Sequence, residues 1–554
     1  EARAAIVADL RAQKLLIEEK PYRYAIAISD RTGEVVEPLL SLQWFVKMKP
    51  LAEPALQAFR EGRVRFVPER YGRTFEQWLE NIRDWNISRQ IWWGHQLPVW
   101  YTPDGSIVVA ENEEEALKLA LKQHPSTGSG QALKLVRDPD TLDTWFSSGL
   151  WPFSILGWPE ATPELAHWYP SQVLVTGWEI IFLWVARMVM LGLKFMDQVP
   201  FKDVFVAPLV FDAQGRKMSK SLGNVIDPLD LIERYGADAF RMGMMRQLRL
   251  ESQEVRFNEK RCEEARNFNN KIWNALRYML SLPEQLPPAM QLPARAKLTI
   301  ADAWILTRLH ETAAGVSAAL DGYDFGVAAE TIWAFIWYEF CDWYLEATKD
   351  ANARETRAAV LSFVLNHAMR LLHPIAPFIS EEVWLCIPHD GETIVTASWP
   401  DLAEIPTDLQ AAEVLQALQR KVEQVRNLRA ELGLAPREPV TIEVPTNVPP
   451  AVASLLATLA AAGTVSVPQT GENLAQALAA VQARAPRAVL TARYKKEAAR
   501  LRGEVARSER KLADKKFTAN AKPEVVAKER EKLTGYRREL ERVMTMLTDM
   551  GETE

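Results

Sequence analysis

Cysteine is scarce in this sequence, and the cysteines that occur stand apart from one another. There are three among 554 residues, Cys262, Cys341 and Cys386, and no CxxC pair is present. This scarcity argues against a disulfide framework and against a cysteine-ligated zinc site, because both need clustered cysteines. Free thiols suit a reducing compartment. We therefore expect a cytoplasmic protein without structural zinc.

Long uninterrupted apolar runs are also missing. The uncharged stretch 444–471 is broken by proline and glycine, and the apolar stretch 180–195 contains Arg187. A membrane-spanning helix needs about 20 consecutive apolar residues, so we expect no membrane partner. With 48% hydrophobic and 25% charged residues, the composition is that of a folded chain. At about 150 residues per domain, its length predicts three or four domains.

The chain as a whole has no net positive charge, but one region of it is basic. The net charge of −6 argues by itself against a nucleic-acid partner, because phosphates attract Lys and Arg. Residues 491–548, however, contain 17 Lys and Arg against 9 Asp and Glu, a local +8, which leaves −14 for the rest. Two apolar heptad patterns flank residues 514–522 and predict an antiparallel coiled-coil hairpin. We expect an arm that binds RNA or DNA, with a spacer or dimerisation arm as the alternative.

The region 172–250 has an alternating pattern of strands and helices. Residues 172–176 and 203–211 predict strands, and residues 179–193 between them predict a helix. Strand, turn, helix and strand imply a parallel sheet. Ligands of such sheets bind beyond the carboxyl ends of the strands.

After residue 246 the pattern becomes helical. Long amphipathic segments predict a helical bundle. These segments are 260–280, 301–321, 327–349 and 354–371. A further helix is predicted at 402–429, and residues 434–487 form a connector rich in proline and alanine, with one strand at 440–444.

One decapeptide carries chemical information: Gly215-Arg-Lys-Met-Ser-Lys-Ser-Leu-Gly-Asn224. It lacks the GxxxxGK[ST] spacing of a P-loop. Instead, Lys217 and Lys220 flank small hydroxyl residues on a loop bounded by glycine. Two ammonium groups so placed could neutralise the negative charge that grows on a triphosphate under attack. A lone KxxK is more often an ordinary basic turn, so the assignment depends on the surrounding sequence.

Residues 217–221, Lys-Met-Ser-Lys-Ser, resemble the KMSKS signature of class I aminoacyl-tRNA synthetases. Blocks that begin at Asp84, Asp138 and Gly177, together with the basic hairpin, are most similar to the valine-specific members of that family. The resemblance covers practically the whole sequence. It implies ATP-dependent activation of valine to valyl-adenylate and transfer to tRNA(Val), with Mg²⁺ accompanying ATP. The implied fold is α/β, the second half of a Rossmann-type parallel sheet, followed by an all-α anticodon-binding bundle, a small connector and an antiparallel coiled-coil hairpin.

The resemblance also assigns residues to the ATP site. Lys217 and Lys220 match the catalytic lysines that contact phosphate, with Ser219 between them. Gly177 and Glu179 match the turn that approaches the ATP ribose, although Glu replaces the commoner Asp. The carboxylate of the amino acid is itself the nucleophile, so positioning and charge stabilisation are expected to carry the rate.

For the amino-acid pocket, the resemblance implies an apolar wall of Trp145, Ile180 and Trp184. Ile180 and Trp184 are at positions i and i+4 of the predicted helix, so they share one face next to a strand's carboxyl end. From spacing alone, such residues are more often ordinary core. An apolar slot of this kind excludes isoleucine by its size. It discriminates poorly against threonine, which has nearly the same shape as valine.

Two groups of side chains are expected to bind tRNA. The first lies on the opening helix of the bundle and could reach anticodon bases by hydrogen bonding and stacking; it comprises Arg266, Asn270, Arg277 and Tyr278. The second lies on the hairpin and would add salt-dependent affinity without base specificity; it comprises Arg500, Arg502, Arg507, Arg510 and Lys511. The expected partners are tRNA(Val), valine and ATP, and we expect a monomer.

The resemblance divides the chain into five expected regions. In order, they are the returning tail of an inserted editing domain, the second half of the catalytic nucleotide-binding domain, the anticodon-binding bundle, the connector and the basic arm. Their boundaries are 1–48, 49–245, 246–401, 402–488 and 489–554.

The sequence departs from the family pattern in its first half. None of the seven histidines has a partner three residues away, so no HIGH-like motif is present. Ala207-Pro208 stands where relatives usually have His-Gly. We expect a carboxyl-terminal portion that binds tRNA but is incomplete for catalysis and editing, with the amino-terminal half absent or on another chain. The alternatives are an isoleucine-type ligase and a non-catalytic RNA-binding protein derived from a synthetase.

Overall fold

The computed structural model describes most of the chain. The chain divides into two compact units, residues 1–204 and 205–554. No helix among the described residues is both long enough and apolar enough to cross a bilayer. The described residues are 2–29, 32–36, 40–123, 134–218, 222–287, 290–432, 434–435, 440–444, 448–461, 463–466, 482–484, 487–514 and 523–551.

The first unit mixes short strands with helices. Its helices are α1 Ala2–Ala12, α2 Lys49–Arg60, α3 Arg70–Glu80, α4 Glu113–Gln123, α5 Thr144–Ser154, α6 Pro163–Trp168 and α7 Ala186–Met196. Its strands are β1 Phe45–Val46, β2 Arg65–Val67, β3 Trp85–Asn86, β4 Ser88–Arg89, β5 Val99–Tyr101, β6 Ile107–Val109, β7 Val136–Arg137, β8 Thr141–Leu142 and β9 Ser171–Gly177. Strand β10, Phe201–Ala207, begins in this unit.

The sheet that carries part of the predicted site has the strand order β2–β10–β9. Helix α7 connects β9 to β10, which is the kind of crossover that parallel neighbours require. Residues 186–192 of α7 are all buried, and α7 packs against α2 and α5. The two predicted strands are therefore present, and the helix between them lies in the interior of the unit.

The predicted helix 179–193 is wrong in its first part. A 3-10 turn covers Trp178–Ile180, a π-helical turn covers Ile181–Val185, and the α-helix begins only at Ala186. Two carbonyl groups of the π turn accept hydrogen bonds from Arg187 Nη1. Hydrophobic periodicity carries no information about such a side-chain contact, so it predicts a regular helix.

The second unit is mostly helical. Its helices are α8 Pro228–Tyr235, α9 Ala237–Met245, α10 Lys260–Leu280, α11 Ile300–Asp321, α12 Phe325–Ala334, α13 Leu345–Ala347, α14 Arg357–Leu372, α15 Pro377–Leu385, α16 Leu409–Leu432, α17 Pro450–Ala460, α18 Arg487–Ala513 and α19 Pro523–Asp549. A π-helical segment, Phe335–Tyr344, joins α12 to α13. The remaining strands are β11 Leu209–Phe211, β12 Glu254–Arg256, β13 Thr441–Glu443, β14 Gly463–Ser466 and β15 Gln482–Arg484.

The structure corrects two expectations in this unit. The strand predicted at 203–211 is divided at Pro208, because proline has no N–H to donate to a ladder. The part beyond it, β11, pairs in parallel with β12. The connector also contains a helix, α17, that we did not predict. Pro450 occupies its first turn, where the missing N–H costs nothing.

The last two helices form the predicted antiparallel hairpin. Ala498 and Leu501 of α18 are buried in one cluster with Val543 and Leu547 of α19. Ser508 Oγ lies 3.1 Å from Glu529 Oε1, so the end of α18 contacts the beginning of α19. Helix α19 begins at Pro523, directly after the predicted turn. Most of the predicted turn, residues 515–522, lies outside the described residues.

Candidate functional site

The base of the signature loop is organised by the buried carboxylate of Asp212. Its Oδ1 accepts hydrogen bonds from the backbone N–H groups of Gln214 and Arg216, at 3.0 and 2.8 Å. Its Oδ2 accepts from Asn224 Nδ2 at 3.0 Å and from Arg216 Nε at 2.8 Å. The hydrogen bond from Asn224, followed by those from Arg216, lowers the pKa of Asp212 to about 2. One carboxylate therefore joins both ends of the loop.

The described part of the loop leaves its first lysine exposed. Lys217 forms a bridge with Phe211, and its carbonyl oxygen accepts from Asn224 Nδ2 at 3.3 Å. The next residue, Met218, packs on the cluster that contains Leu231 and Phe257. The backbone of Lys217 is held, while its side chain is exposed at the surface of the described part of the chain and can meet an anion. Ser219 and Lys220 lie outside the described residues.

The turn after β9 brings together the two residues predicted to approach the ribose. A Cβ atom on Gly177 would lie 2.7 Å from Glu179 Oε2, so a larger residue there would displace this carboxylate from its position over the turn. Glu179 is half-buried, at the end of the strand. The pair is thus close in space, and its role toward ATP stays a prediction.

The three predicted pocket residues are half-buried on two elements in contact. Trp145 lies in the first turn of α5, Ile180 ends the 3-10 turn, and Trp184 lies in the π turn. Trp184 Nε1 donates to the carbonyl oxygen of Ser148, one turn after Trp145, at 3.0 Å. The Trp184 ring is also 5.9 Å from that of Trp151. The first unit therefore fixes the indole of Trp184 against α5.

The residues predicted to read the anticodon lie on α10. Arg266, Asn270 and Arg277 are exposed, whereas Tyr278 packs on the bundle core and its hydroxyl is 2.9 Å from Thr348 Oγ1. Tyr278 therefore supports the bundle, whereas Arg266, whose guanidinium lies 5.8 Å from the Tyr235 ring centroid, and Arg277, which contacts Asn274 of the same helix, stay on the surface.

The sequence interpretation missed another aromatic residue on this face. Trp273 lies seven residues after Arg266 and three after Asn270, and 42% of it is exposed. A tryptophan on an otherwise polar helix face is the feature of the sequence that could have identified it as a candidate for base stacking.

The residues predicted to bind tRNA on the hairpin are all exposed on α18, and several are paired. Arg500 and Arg507 each pair with a glutamate three residues before them, and Lys511 lies 3.7 Å from Glu529. Arg510 Nε donates to a backbone carbonyl one turn earlier. Arg502 contacts the sulfur of Met544. Exposed pairs of this kind are weak, so these cations remain available to phosphate groups.

A second basic surface of the hairpin was not predicted. An open depression of about 460 Å³ on α19 is lined by Lys532, Arg538 and Arg542, with Tyr536 and Glu539 between them. Gly535 also lines the depression, and a Cβ atom there would meet nothing within 4 Å. Glycine inside a helix costs about 1 kcal/mol relative to alanine, and no contact within the described residues requires it. A glycine inside a predicted helix is therefore the feature of the sequence from which this surface could have been predicted.

Titratable side chains that could hold a metal ion do not cluster in the described residues. No group of three or more His, Cys, Asp or Glu side chains there is arranged as a ligand set. The candidate sites described above instead consist of exposed ammonium and guanidinium groups and of half-buried aromatic side chains.

Comparison with known families matches three parts of the chain in order. Residues 18–257 match the model of class I tRNA synthetases for isoleucine, leucine, methionine and valine, and residues 302–444 match the anticodon-binding domain of tRNA ligases. Residues 488–551 match the tRNA binding arm of valyl-tRNA synthetases. In all three parts the chain is similar to aminoacyl-tRNA synthetases, and in the last part to the valine-specific ones.

Individual valyl-tRNA synthetases are similar over nearly the whole chain. The valine–tRNA ligase of Carboxydothermus hydrogenoformans is 44% identical over 98% of this chain and 62% of its own length. That of Geobacillus stearothermophilus is 41% identical over 99% of this chain and 63% of its own length. The chain thus spans less than two thirds of each of these relatives.

Proposed function

We propose that this chain is part of a valine–tRNA ligase, which activates valine with ATP and transfers it to tRNA(Val). The observation that carries the proposal is a pair of half-buried residues just after β9, Ile180 at the end of the 3-10 turn and Trp184 in the π turn, with Trp184 held against the helix of Trp145. The end of a strand is where sheets of this kind bind their ligands. Relatives named valine–tRNA ligases support the same activity.

In the proposed reaction, the signature loop stabilises the departing pyrophosphate. Lys217 is exposed on a backbone held by Asn224, and Lys220 would supply the second ammonium group. ATP enters with Mg²⁺ as the substrate, and Gly177 and Glu179 would approach its ribose. No general base is needed for this step, because the valine carboxylate attacks directly. The lysines would act by charge stabilisation.

For RNA binding, we propose two surfaces that act differently. On α10, Arg266, Asn270 and Arg277 would hydrogen-bond with unstacked bases, and Trp273 would stack on one of them. The basic arm would contact the phosphate backbone, so that its contribution falls with salt and does not depend on sequence. Tyr278 would support this helix face through its contact with Thr348.

The proposed domain assignment follows the family order. The β2–β10–β9 sheet would be the second half of a Rossmann-type sheet, followed by the bundle, the connector and the arm. The proposed boundaries remain those expected from the sequence, 1–48, 49–245, 246–401, 402–488 and 489–554.

The test is amino-acid-dependent exchange of pyrophosphate into ATP by the full-length gene product. We expect exchange with valine and little with isoleucine. Replacing Lys217 and Lys220 by alanine should lower the exchange rate by a factor of about 100 to 1,000, the usual effect of removing a preorganised charge-stabilising donor. Affinity for tRNA(Val) should stay unchanged. Lys194→Ala, at an exposed lysine of α7, is the matched control and should change neither quantity.

Each alternative gives a different result. An isoleucine-type ligase would exchange with isoleucine at least as well as with valine. A non-catalytic RNA-binding protein would exchange with no amino acid, and the double lysine variant would lose tRNA affinity instead. Either result would refute the proposal.

A further inference from the structure

A group of buried polar side chains lies next to the π turn in the first unit. Arg187, Asp143 and Trp85 are each at most 8% exposed, yet the proposed reaction gives none of them a role. The Arg187 guanidinium lies over the Trp85 ring, with Cζ 4.1 Å from the ring centroid. Trp85 Nε1 in turn donates to Asp143 Oδ2 at 2.8 Å. The three side chains therefore form one continuous chain of contacts.

One end of this chain holds the turn that carries Trp184. Arg187 Nη1 donates to the carbonyl oxygens of Phe182 and Leu183, at 3.3 and 2.6 Å. In a π turn the backbone bonds run from residue i to i+5, and the Ala186 N–H donates to the Ile181 carbonyl in this way. The guanidinium thus adds side-chain hydrogen bonds to a rare backbone form.

The other end holds the helix that carries Trp145. Asp143 caps the start of α5, and its Oδ1 accepts from the Trp145 backbone N–H at 3.3 Å. Arg89 also pairs with Asp143 Oδ2 at 2.8 Å. Helices α5 and α7 touch closely at Gly149, where an added Cβ would be 3.3 Å from Arg187 Cβ. The same polar group therefore contacts both elements of the predicted pocket wall.

Burying a guanidinium is unfavourable unless specific contacts compensate for it. Burial lowers the pKa of Arg187 to about 10 even though Asp143 favours the charged form. Its Nε is buried without a hydrogen-bond partner among the described residues. An apolar side chain would pack between these helices at lower cost. A helix that needed only stability would have no reason to place arginine here.

We propose that Arg187 is a positioning residue of the amino-acid pocket, which holds the π turn that follows Ile180 and carries Trp184 and, through Trp85 and Asp143, aligns this turn with Trp145. The proposal rests on the proposed function, because it takes these three residues as the wall that contacts valine. Arg187 itself does not touch the amino acid in this scheme. Its effect is on the shape of the pocket and hence on affinity and selectivity for valine.

The test uses the full-length gene product labelled with fluorotryptophan. The fluorine resonances of Trp184 and Trp145 are identified by their loss in Trp184→Phe and Trp145→Phe. In Arg187→Met we expect the Trp184 resonance to shift, and KM for valine in pyrophosphate exchange to rise about tenfold, the effect of losing one hydrogen bond from a charged donor. The rate constant kcat and KM for ATP should stay within about twofold, because the signature loop is untouched.

Three further variants separate positioning from general loosening. Arg187→Lys keeps a donor for one carbonyl and should restore most of the valine affinity. Trp85→Phe keeps an aromatic ring but loses the N–H to Asp143, so it should shift the Trp145 resonance more than that of Trp184. Arg60→Met removes an exposed arginine paired with Glu76 and should change neither resonance.

Several outcomes would overturn the inference. These are an unchanged Trp184 resonance in Arg187→Met, an unchanged KM for valine, or a parallel rise in KM for valine and ATP. If Arg187→Met does not fold, unchanged resonances and an unchanged KM for valine in Arg187→Lys and Trp85→Phe would overturn it as well. A wild-type protein without valine-dependent exchange would refute the proposed function instead. The two fluorine resonances would still decide whether Arg187 positions Trp184.

Discussion

The bundle and the hairpin are both helical, but they use polar side chains in opposite ways. In the bundle, Asp302 is 1% exposed and accepts hydrogen bonds from Tyr344 Oη, Thr356 Oγ1 and the Thr299 backbone N–H, at 2.6, 2.7 and 2.9 Å. In the hairpin, Arg500 is half exposed and pairs with a glutamate of the same helix. The bundle ties separate helices together through such groups, whereas the hairpin leaves its charges on the surface.

This difference shows which properties depend on a fixed arrangement and which depend on charge alone. A buried carboxylate with three donors on three different elements cannot be removed without leaving some of those donors unpaired. An exposed arginine can exchange a glutamate for a phosphate at little cost. We therefore expect bundle variants to act on stability and hairpin variants to act on salt-dependent RNA affinity.

The largest effect is expected for Asp302→Ala. The change removes one buried carboxylate and leaves the Tyr344 hydroxyl and the Thr299 N–H without this acceptor, while the Thr356 hydroxyl keeps only the Ala353 carbonyl, so the free energy of unfolding should fall by about 3 to 4 kcal/mol. Urea unfolding, followed by helical circular dichroism, measures this change. The matched control is Asp324→Ala, which removes a partly exposed helix cap on Val327 N–H and should cost about 1 kcal/mol. Equal losses in the two variants would contradict the role assigned to burial.

A slightly smaller loss of stability is expected when the pH is lowered far enough to protonate His367. This ring is fully buried, and burial lowers its pKa from 6.5 to about 4, with nearby Arg370 acting in the same direction. Between these two pH values the unfolded state binds the proton more readily, so stability falls as the pH decreases. The contribution is complete above pH 6.5, and about 3 kcal/mol at most is lost by pH 4.

The measurement for His367 is the difference between wild type and His367→Gln. Carboxylates titrate in the same range, but they do so in both proteins, so only the difference belongs to the histidine. We expect the wild type to lose stability more steeply than the variant as the pH falls from 6.5 to 4. Parallel curves would show that the ring can be protonated in the folded bundle.

The sequence was sufficient where local pattern decides the structure. Helix α10 has the predicted bounds, and the two helices of the hairpin pack through apolar residues as the heptad patterns predict, because both depend on apolar spacing along the chain. The signature loop was found from its residue types alone. The role of Asp212 in the loop was not found, because the hydrogen bonds by which it joins the loop ends are visible only in three dimensions.

The sequence was insufficient where distant side chains decide the backbone. The π turn of Ile181–Val185 accompanies hydrogen bonds from Arg187, and no apolar periodicity encodes them. Helix α17 was missed because prolines were taken as breaks, although proline is favoured in a first turn. The basic surface around Gly535 was missed because a charge count does not show which residues lie side by side on a surface. The roles of Trp145, Ile180 and Trp184 stay predictions.

The smallest effect, and the sharpest contrast with the bundle, is expected for the hairpin. Two triple variants remove the same charge from its two helices: Arg500, Arg507 and Arg510 of α18, or Lys532, Arg538 and Arg542 of α19, each set replaced by alanine. If all three side chains of a set contact phosphate, the salt dependence of tRNA(Val) binding should decrease by about 2 to 3 units of log–log slope. Filter binding between low and physiological salt measures it, and affinity should fall about tenfold at moderate salt.

Comparing the two triple variants shows whether one helix of the arm contacts the RNA or whether the arm attracts RNA by its total charge alone. Neither triple variant should change the free energy of unfolding by more than about 0.5 kcal/mol, because the lost pairs are exposed. A larger loss for the α19 set would place the RNA backbone at the depression around Gly535, and a larger loss for α18 would favour the residues predicted from the sequence. Equal losses would mean that only the total charge of the arm matters. If deletion of residues 491–554 changed neither the affinity for tRNA(Val) nor its salt dependence, the arm would not bind tRNA. Its positive charge would then need another explanation, such as solubility.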